Sequence, residues 1–183
     1  MIVSQSKKSK LIRKILAGAV VLLALAPQDR PIAQEGPLTR FLFGRPCVST
    51  AIGNSVRRTE DVSVNKGVYT SRFFMGPGNR SASITCRLQP NQANVIFQRL
   101  RLSFGMRDND EGSPAVTVNL YIDGVPVQSR TVTPGGRPGS MTQDVTTTNN
   151  IAIETICSST TQYCDRVYFW EAELEYPRLP PVQ

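Results

Sequence analysis

Histidine is absent from this chain of 183 residues. Without an imidazole, neither Ser-His-Asp nor Cys-His catalysis can be assembled. A zinc site loses its usual nitrogen ligand as well, and no Cys-x-x-Cys spacing stands in for it. Lysine is scarce: beyond Lys14 only Lys66 remains. No glycine-rich stretch ends in the Lys-Ser/Thr pair that cradles phosphate, and Gly135-Gly136-Arg137-Pro138-Gly139 reads as a plain loop. The chain also lacks internal repeats, coiled-coil heptads and any apolar run of the roughly 20 residues that span a bilayer.

The longest apolar run is Ile15 to Ala26, preceded by Lys7, Lys8, Lys10, Arg13 and Lys14 and stopped by Pro27. A basic segment, a short apolar segment and small residues at its end describe a secretory signal peptide. Ala24 and Ala26 fit an Ala-x-Ala cleavage pattern, so residues 1–26 are expected to be removed, with cleavage after Ala33 as the alternative. The expected location is the bacterial periplasm, the cell surface or the medium, with no membrane span after processing.

Removing that leader changes the electrostatics. The formal charge of +7 includes five basic residues before Pro27, which leaves sixteen basic against fourteen acidic residues. A nearly neutral mature chain excludes nucleic acid as the expected partner. Its basic residues are, Lys66 apart, arginines dispersed along the sequence.

Cys47, Cys86, Cys157 and Cys164 are even in number in a chain read as exported, which implies two disulfides with three possible pairings. Cys157 and Cys164 flank the short loop Ser158-Ser159-Thr160-Thr161-Gln162-Tyr163 and are expected to join. Thirteen Gly, thirteen Pro and many Val, Ile and Thr suit one all-β domain. Val116, Val118, Leu120 and Ile122 alternate with Thr117, Asn119 and Tyr121. The run then breaks at Asp123-Gly124 and resumes at Val125, a hairpin signature. Pro126 cannot donate to a ladder, so its strand belongs at a sheet edge or carries a bulge. Strands are expected at 62–64, 69–75, 82–88, 96–106, 116–122, 125–132, 141–145, 151–157 and 166–176. Turn punctuation between them favours an antiparallel β-sandwich or jelly roll. The expected organisation is an extended lead-in at 27–46, the sandwich at 47–176 and a Pro-rich tail at 177–183.

Three features carry a family resemblance: Leu102-Ser103-Phe104-Gly105 followed by Asp108 and Asp110, then Tyr121-Ile122-Asp123-Gly124, then Asp165, Phe169, Glu171-Ala172 and Leu174. In this order they resemble the NPCBM carbohydrate-binding modules over roughly residues 68–176. The resemblance implies a galactose-binding-like jelly roll and a glycan or polysaccharide as partner. Phe169 stands where that family has Trp, and Glu171 where it has Asp, which puts a shared binding surface in question. The competing expectation is an interaction subunit that keeps the jelly roll and binds an envelope protein. The sequence does not define an oligomeric state.

Aromatic faces stack on sugar rings while Asp and Arg bond the hydroxyls. Tyr163, Asp165 and Arg166, at the entrance of the last strand, are therefore the expected glycan contacts, with Trp170 a fourth candidate. Alternation puts Trp170 in phase with Ala172, Leu174 and Tyr176, so it is expected in the core rather than on a platform. Asp108, Asp110 and Glu111 crowd oxygens on one turn, enough to begin a calcium site. A glycosidase would need two carboxylates, for which Asp108, Asp110, Glu171 and Glu173 are candidates. Alternating strand glutamates usually face solvent, so the expectation is a protein that is not an enzyme.

Overall fold

The computed structural model describes residues 36–88 and 95–177. The expected leader and most of the Pro-rich tail lie outside these residues. Eleven strands are described: β1 (Leu38–Phe41), β2 (Cys47–Ser49), β3 (Asn54–Val64), β4 (Gly67–Gly76), β5 (Ser81–Arg87), β6 (Arg99–Gly105), β7 (Val116–Ile122), β8 (Val125–Val132), β9 (Gly139–Asp144), β10 (Asn150–Cys157) and β11 (Val167–Tyr176). They form two antiparallel sheets. One runs β3-β4-β11-β6-β9, with β1 also paired to β11, and the other runs β2-β5-β10-β7-β8. The expected sandwich is therefore present, and alternation explains its core: Leu100, Leu102 and Phe104 of β6 meet Val116, Val118 and Leu120 of β7 and Ile151 and Ile153 of β10 in one buried cluster. Among the described residues no helix is long and apolar enough to cross a membrane.

The β7–β8 hairpin follows its sequence. Asp123 and Gly124 both take positive φ, as a two-residue turn requires. The β8 strand lies at a sheet edge and also carries a register shift that sets Pro126 opposite Tyr121.

Two boundaries differ from expectation. The sandwich begins at Leu38 rather than Cys47, because β1 pairs with Glu173 to Tyr176 of β11 and the following 3-10 turn, Leu42–Gly44, sends Leu42 and Phe43 into the core. The strand expected at 62–64 is the end of an eleven-residue β3, whose Arg57-Arg58-Thr59-Glu60-Asp61 stretch has no apolar alternation because β3 is an edge strand.

Where β3 shifts register between Arg57 and Glu60, the β3–β4 hairpin leaves its sheet. Only Phe73 to Met75 of β4 pair with β11, and further along that edge β1 takes its place. The free part of the hairpin forms an arm that crosses the outer face of β11. Val62 and Val64 pack there with Phe74 and Tyr168, flanked by Tyr69 and Trp170, in a second cluster separate from the inter-sheet core. Contact between arm and sheet is close at Gly105, where a Cβ would meet Val64 Cγ1 at 2.6 Å and Trp170 Cη2 at 3.3 Å.

This arrangement corrects the expectation for Trp170. In the β11–β6 ladder Phe169 faces Phe104 and Glu171 faces Ser103, so Trp170 is an extra, bulged residue. The bulge reverses the alternation. Phe169, Ala172 and Leu174 face the inter-sheet core, whereas Trp170 lies half-buried on the outer face, stacked on Tyr69 with ring centroids 4.2 Å apart.

Candidate functional site

The entrance of β11 gathers the first group of candidates. Cys157 and Cys164 are joined, as are Cys47 and Cys86, and no cysteine is free. The Cys157–Cys164 bond ties the end of β10 in one sheet to the residues leading into β11 in the other. Cys164 also forms an isolated bridge with Gly78, donating its N–H to the Gly78 carbonyl at 2.7 Å. Tyr163, one residue earlier, is 68% exposed, and its ring lies against Gly78, whose Cβ would stand 3.4 Å from Cε2. Gly78 has a φ of +63°, a conformation that suits glycine.

Arg166 is exposed, and its guanidinium lies over Phe74 with Cζ 4.2 Å from the ring centroid. No carboxylate forms an ion pair with it among the described residues. The Arg166 stem runs past Gly76, on which the Asn54 side chain also rests. Gly76 and Gly78 are two residues apart, a span of at most about 7 Å. Tyr163 thus lies against Gly78, and Arg166 and Asn54 lie against Gly76, at one turn. Asn54 and the two glycines were not expected as site residues. Asn54 opens β3 while Gly76 and Gly78 lie at and just beyond the end of β4, all more than 80 residues away in sequence, and the β3–β4 and β4–β11 pairings with the Gly78–Cys164 bridge bring them in.

Asp165 lies beside them, half-buried, with its N–H donated to Ser113 Oγ at 2.8 Å. Burial raises its carboxyl above the usual range, and neighbouring Asp110 raises it further, against Arg107 and Arg166. Trp170 lies further along the strand, beneath the arm, and is not part of this group.

The oxygen-rich turn at Asp108, Asp110 and Glu111 is divided among other partners. Asp108 accepts from Ser63 Oγ at 2.5 Å and from the Asn65 and Lys66 amides at 2.6 and 3.0 Å, so it holds the tip of the β3–β4 arm. These bonds lower its pKa from the ordinary aspartate value, the Ser63 hydroxyl contributing most. Asp110 is buried and takes a two-pronged contact from Arg107, with Nη2 at 2.7 Å and Nε at 3.1 Å. Glu111 is exposed. Among the described residues no group of three or more Asp, Glu, Cys or His is placed to hold a metal.

The glutamates of β11 are also engaged. Glu171 bonds Ser103 Oγ at 2.6 Å and Arg101 at 2.9 Å, Glu173 pairs with Arg72, and Glu175 pairs with Arg99 at 3.0 Å and Arg101 at 3.4 Å. Burial raises the Glu173 carboxyl, and the Arg72 charge partly offsets this. The four carboxylates considered for glycosidase chemistry thus each serve a structural contact.

By sequence, no protein family model matches the chain and no curated protein is similar to it. Solved structures are. A CBM51 module with INT domains from Clostridium perfringens ZmpB, in complex with GlcNAc, is 13% identical over 75% of this chain with a TM-score of 0.61, and this chain spans only 31% of that one. CBM51 from Clostridium perfringens GH95, in complex with methyl-galactose, is 12% identical, with a TM-score of 0.57, over 75% of this chain and 99% of that one. Tandem CBM51 modules of a family 98 glycoside hydrolase from Streptococcus pneumoniae are 13% identical, with a TM-score of 0.50, over 69% of this chain and 38% of that one. At such identities what is shared is the fold: the chain has the antiparallel β-sandwich jelly roll that these modules have.

Proposed function

We propose that this domain is a non-catalytic glycan-binding module of an exported protein, and that Tyr163, Arg166 and Asn54 contact the sugar, with Asp165 beside them. The observation that carries the reading is an exposed aromatic ring and an exposed guanidinium, in no ion pair among the described residues, presented at one glycine-containing turn. An aromatic face covers the apolar side of a pyranose while Arg and Asn supply directed hydrogen bonds. The shared fold supports the reading, since its neighbours include a module in complex with methyl-galactose. The pairing of all four cysteines supports export. Retention of the purified domain on a panel of soluble polysaccharides tests the proposal. Binding to at least one is expected, with Tyr163→Ala and Arg166→Ala each abolishing retention while Tm stays within a few degrees. A panel with no retention, or retention unchanged in both variants, would refute it.

One observation favours a second reading, an interaction subunit that docks on an envelope protein. Val48 of β2 and Ile52 of the segment joining β2 to β3 are 63% and 79% exposed. Recovery of a stoichiometric envelope partner, lost on Ile52→Asp and unaffected by Tyr163→Ala, would establish this reading over the first.

A further inference from the structure

We infer that the Cys157–Cys164 disulfide is a positioning pair, which fixes the Tyr163 ring on Gly78 and so sets the geometry of the glycan site; the functional half of this inference rests on the glycan-binding reading. The two disulfides are placed very differently. Cys47 and Cys86 face one another within a single sheet, across the β2–β5 ladder. Cys157 and Cys164 instead bridge a strand of one sheet and the entrance of β11 in the other, and they close the loop that carries Tyr163.

The chain on both sides of this bond is anchored to the same turn. Cys157 donates its N–H to the Arg80 carbonyl at 2.9 Å, and Cys164 donates to Gly78 at 2.7 Å. Inside the loop, Ser159 Oγ accepts from the Gln162 amide at 3.0 Å, so the loop is folded on itself right up to Tyr163. The ring is more than two-thirds exposed and lies against the Gly78 backbone. Its position is therefore set by its backbone, and its backbone by the adjacent Cys164, which is fully buried and doubly tied. An aromatic platform fixed before the ligand arrives saves the side-chain ordering cost that binding otherwise carries.

The test uses the full domain with Cys157 and Cys164 replaced together, once as C157S/C164S and once as C157V/C164A, the second keeping an apolar filling at two buried positions. In the wild type the Gly78 Hα resonances should be displaced from random-coil positions by the Tyr163 ring current, and Tyr163→Ala should abolish the displacement. Both staple variants should lose it too, while the methyl resonances of Leu120 and Ile153 keep their native positions. Retention on a polysaccharide that the wild type binds should fall about tenfold. A Gly78 displacement kept in a staple-free variant would overturn the inference, and so would undiminished retention. Loss of the native methyl spectrum in both variants would overturn it equally, by making the bond a condition of folding. If the wild type binds no polysaccharide, the glycan reading falls and so does the functional half, while the ring placement is still decided by the Gly78 resonances.

Discussion

Asn65 and Lys66 both take positive φ, at 49° and 64°. For Lys this left-handed conformation costs about 1–2 kcal/mol, and the turn is held because Asp108 accepts from both amides. Asp108→Ala is expected to fray the arm tip, with faster amide exchange at residues 62–66 and little change in the Leu120 amide. Because the folded state lowers the Asp108 pKa, the stabilisation is present above the ordinary aspartate range and is lost as pH falls through the depressed folded value. The wild-type arm should therefore loosen in acid below about pH 4, and exchange data for Asp108→Ala should lack that step. Asp165 has the opposite sign. Its raised carboxyl makes ionisation unfavourable in the folded state, so Asp165→Asn should raise Tm at neutral pH, and the gain should vanish in acid once both proteins are neutral there. The calcium reading of Asp108 arose because its local sequence is acidic, whereas its partners lie more than 40 residues earlier.

Single strands were legible where one face is apolar and one is wet. In β7, Leu120 is fully buried and Asn119 is not, so Leu120→Asp should destabilise by about 4 kcal/mol and Asn119→Asp by well under 1 in chemical denaturation. Legibility failed where geometry overrode the period of two. One bulged residue in β11 carried Trp170 from the expected core to the outer face, and nothing in Tyr168-Phe169-Trp170-Glu171 marks where the extra residue sits. Edge strands β1 and β3 were missed or shortened for a related reason: a strand with one neighbour and a solvated face needs no strict alternation. In the candidate site, Tyr163, Asp165 and Arg166 were readable because they are local to one strand entrance, while Asn54, Gly76 and Gly78 become visible only through strand pairing. Gly105→Ala tests the arm's close approach: the added methyl meets Val64, and a loss of about 1–3 kcal/mol is expected, concentrated in the arm.

Across the molecule the two outer faces differ in kind. Sheet β3-β4-β11-β6-β9 carries the arm and the Arg–Glu ladder of Arg72, Arg99 and Arg101 with Glu171, Glu173 and Glu175. The outer face of the other sheet is largely uncharged, with Ser83, Thr85, Thr117 and Asn119 around the Tyr121–Glu154 hydrogen bond of 2.7 Å. Because Asp108 and Asp110 are already engaged, calcium titration is expected to leave Tm unchanged. A rise with added Ca²⁺ would show that the turn reorganises around the ion. Intact-mass measurement of exported protein should place the new N-terminus at Pro27 or Gln34, with reduction adding the mass of four hydrogens.

The bulge that puts Trp170 beneath the arm also makes the arm optically addressable. Trp170 is the sole indole in the chain, and it is stacked on Tyr69 of the arm itself. Its emission therefore responds to arm lifting, while far-ultraviolet ellipticity responds to the sheets. In a thermal scan the two signals should separate, the fluorescence moving first, so an operator who takes tryptophan emission as a measure of global unfolding would be timing the release of one hairpin.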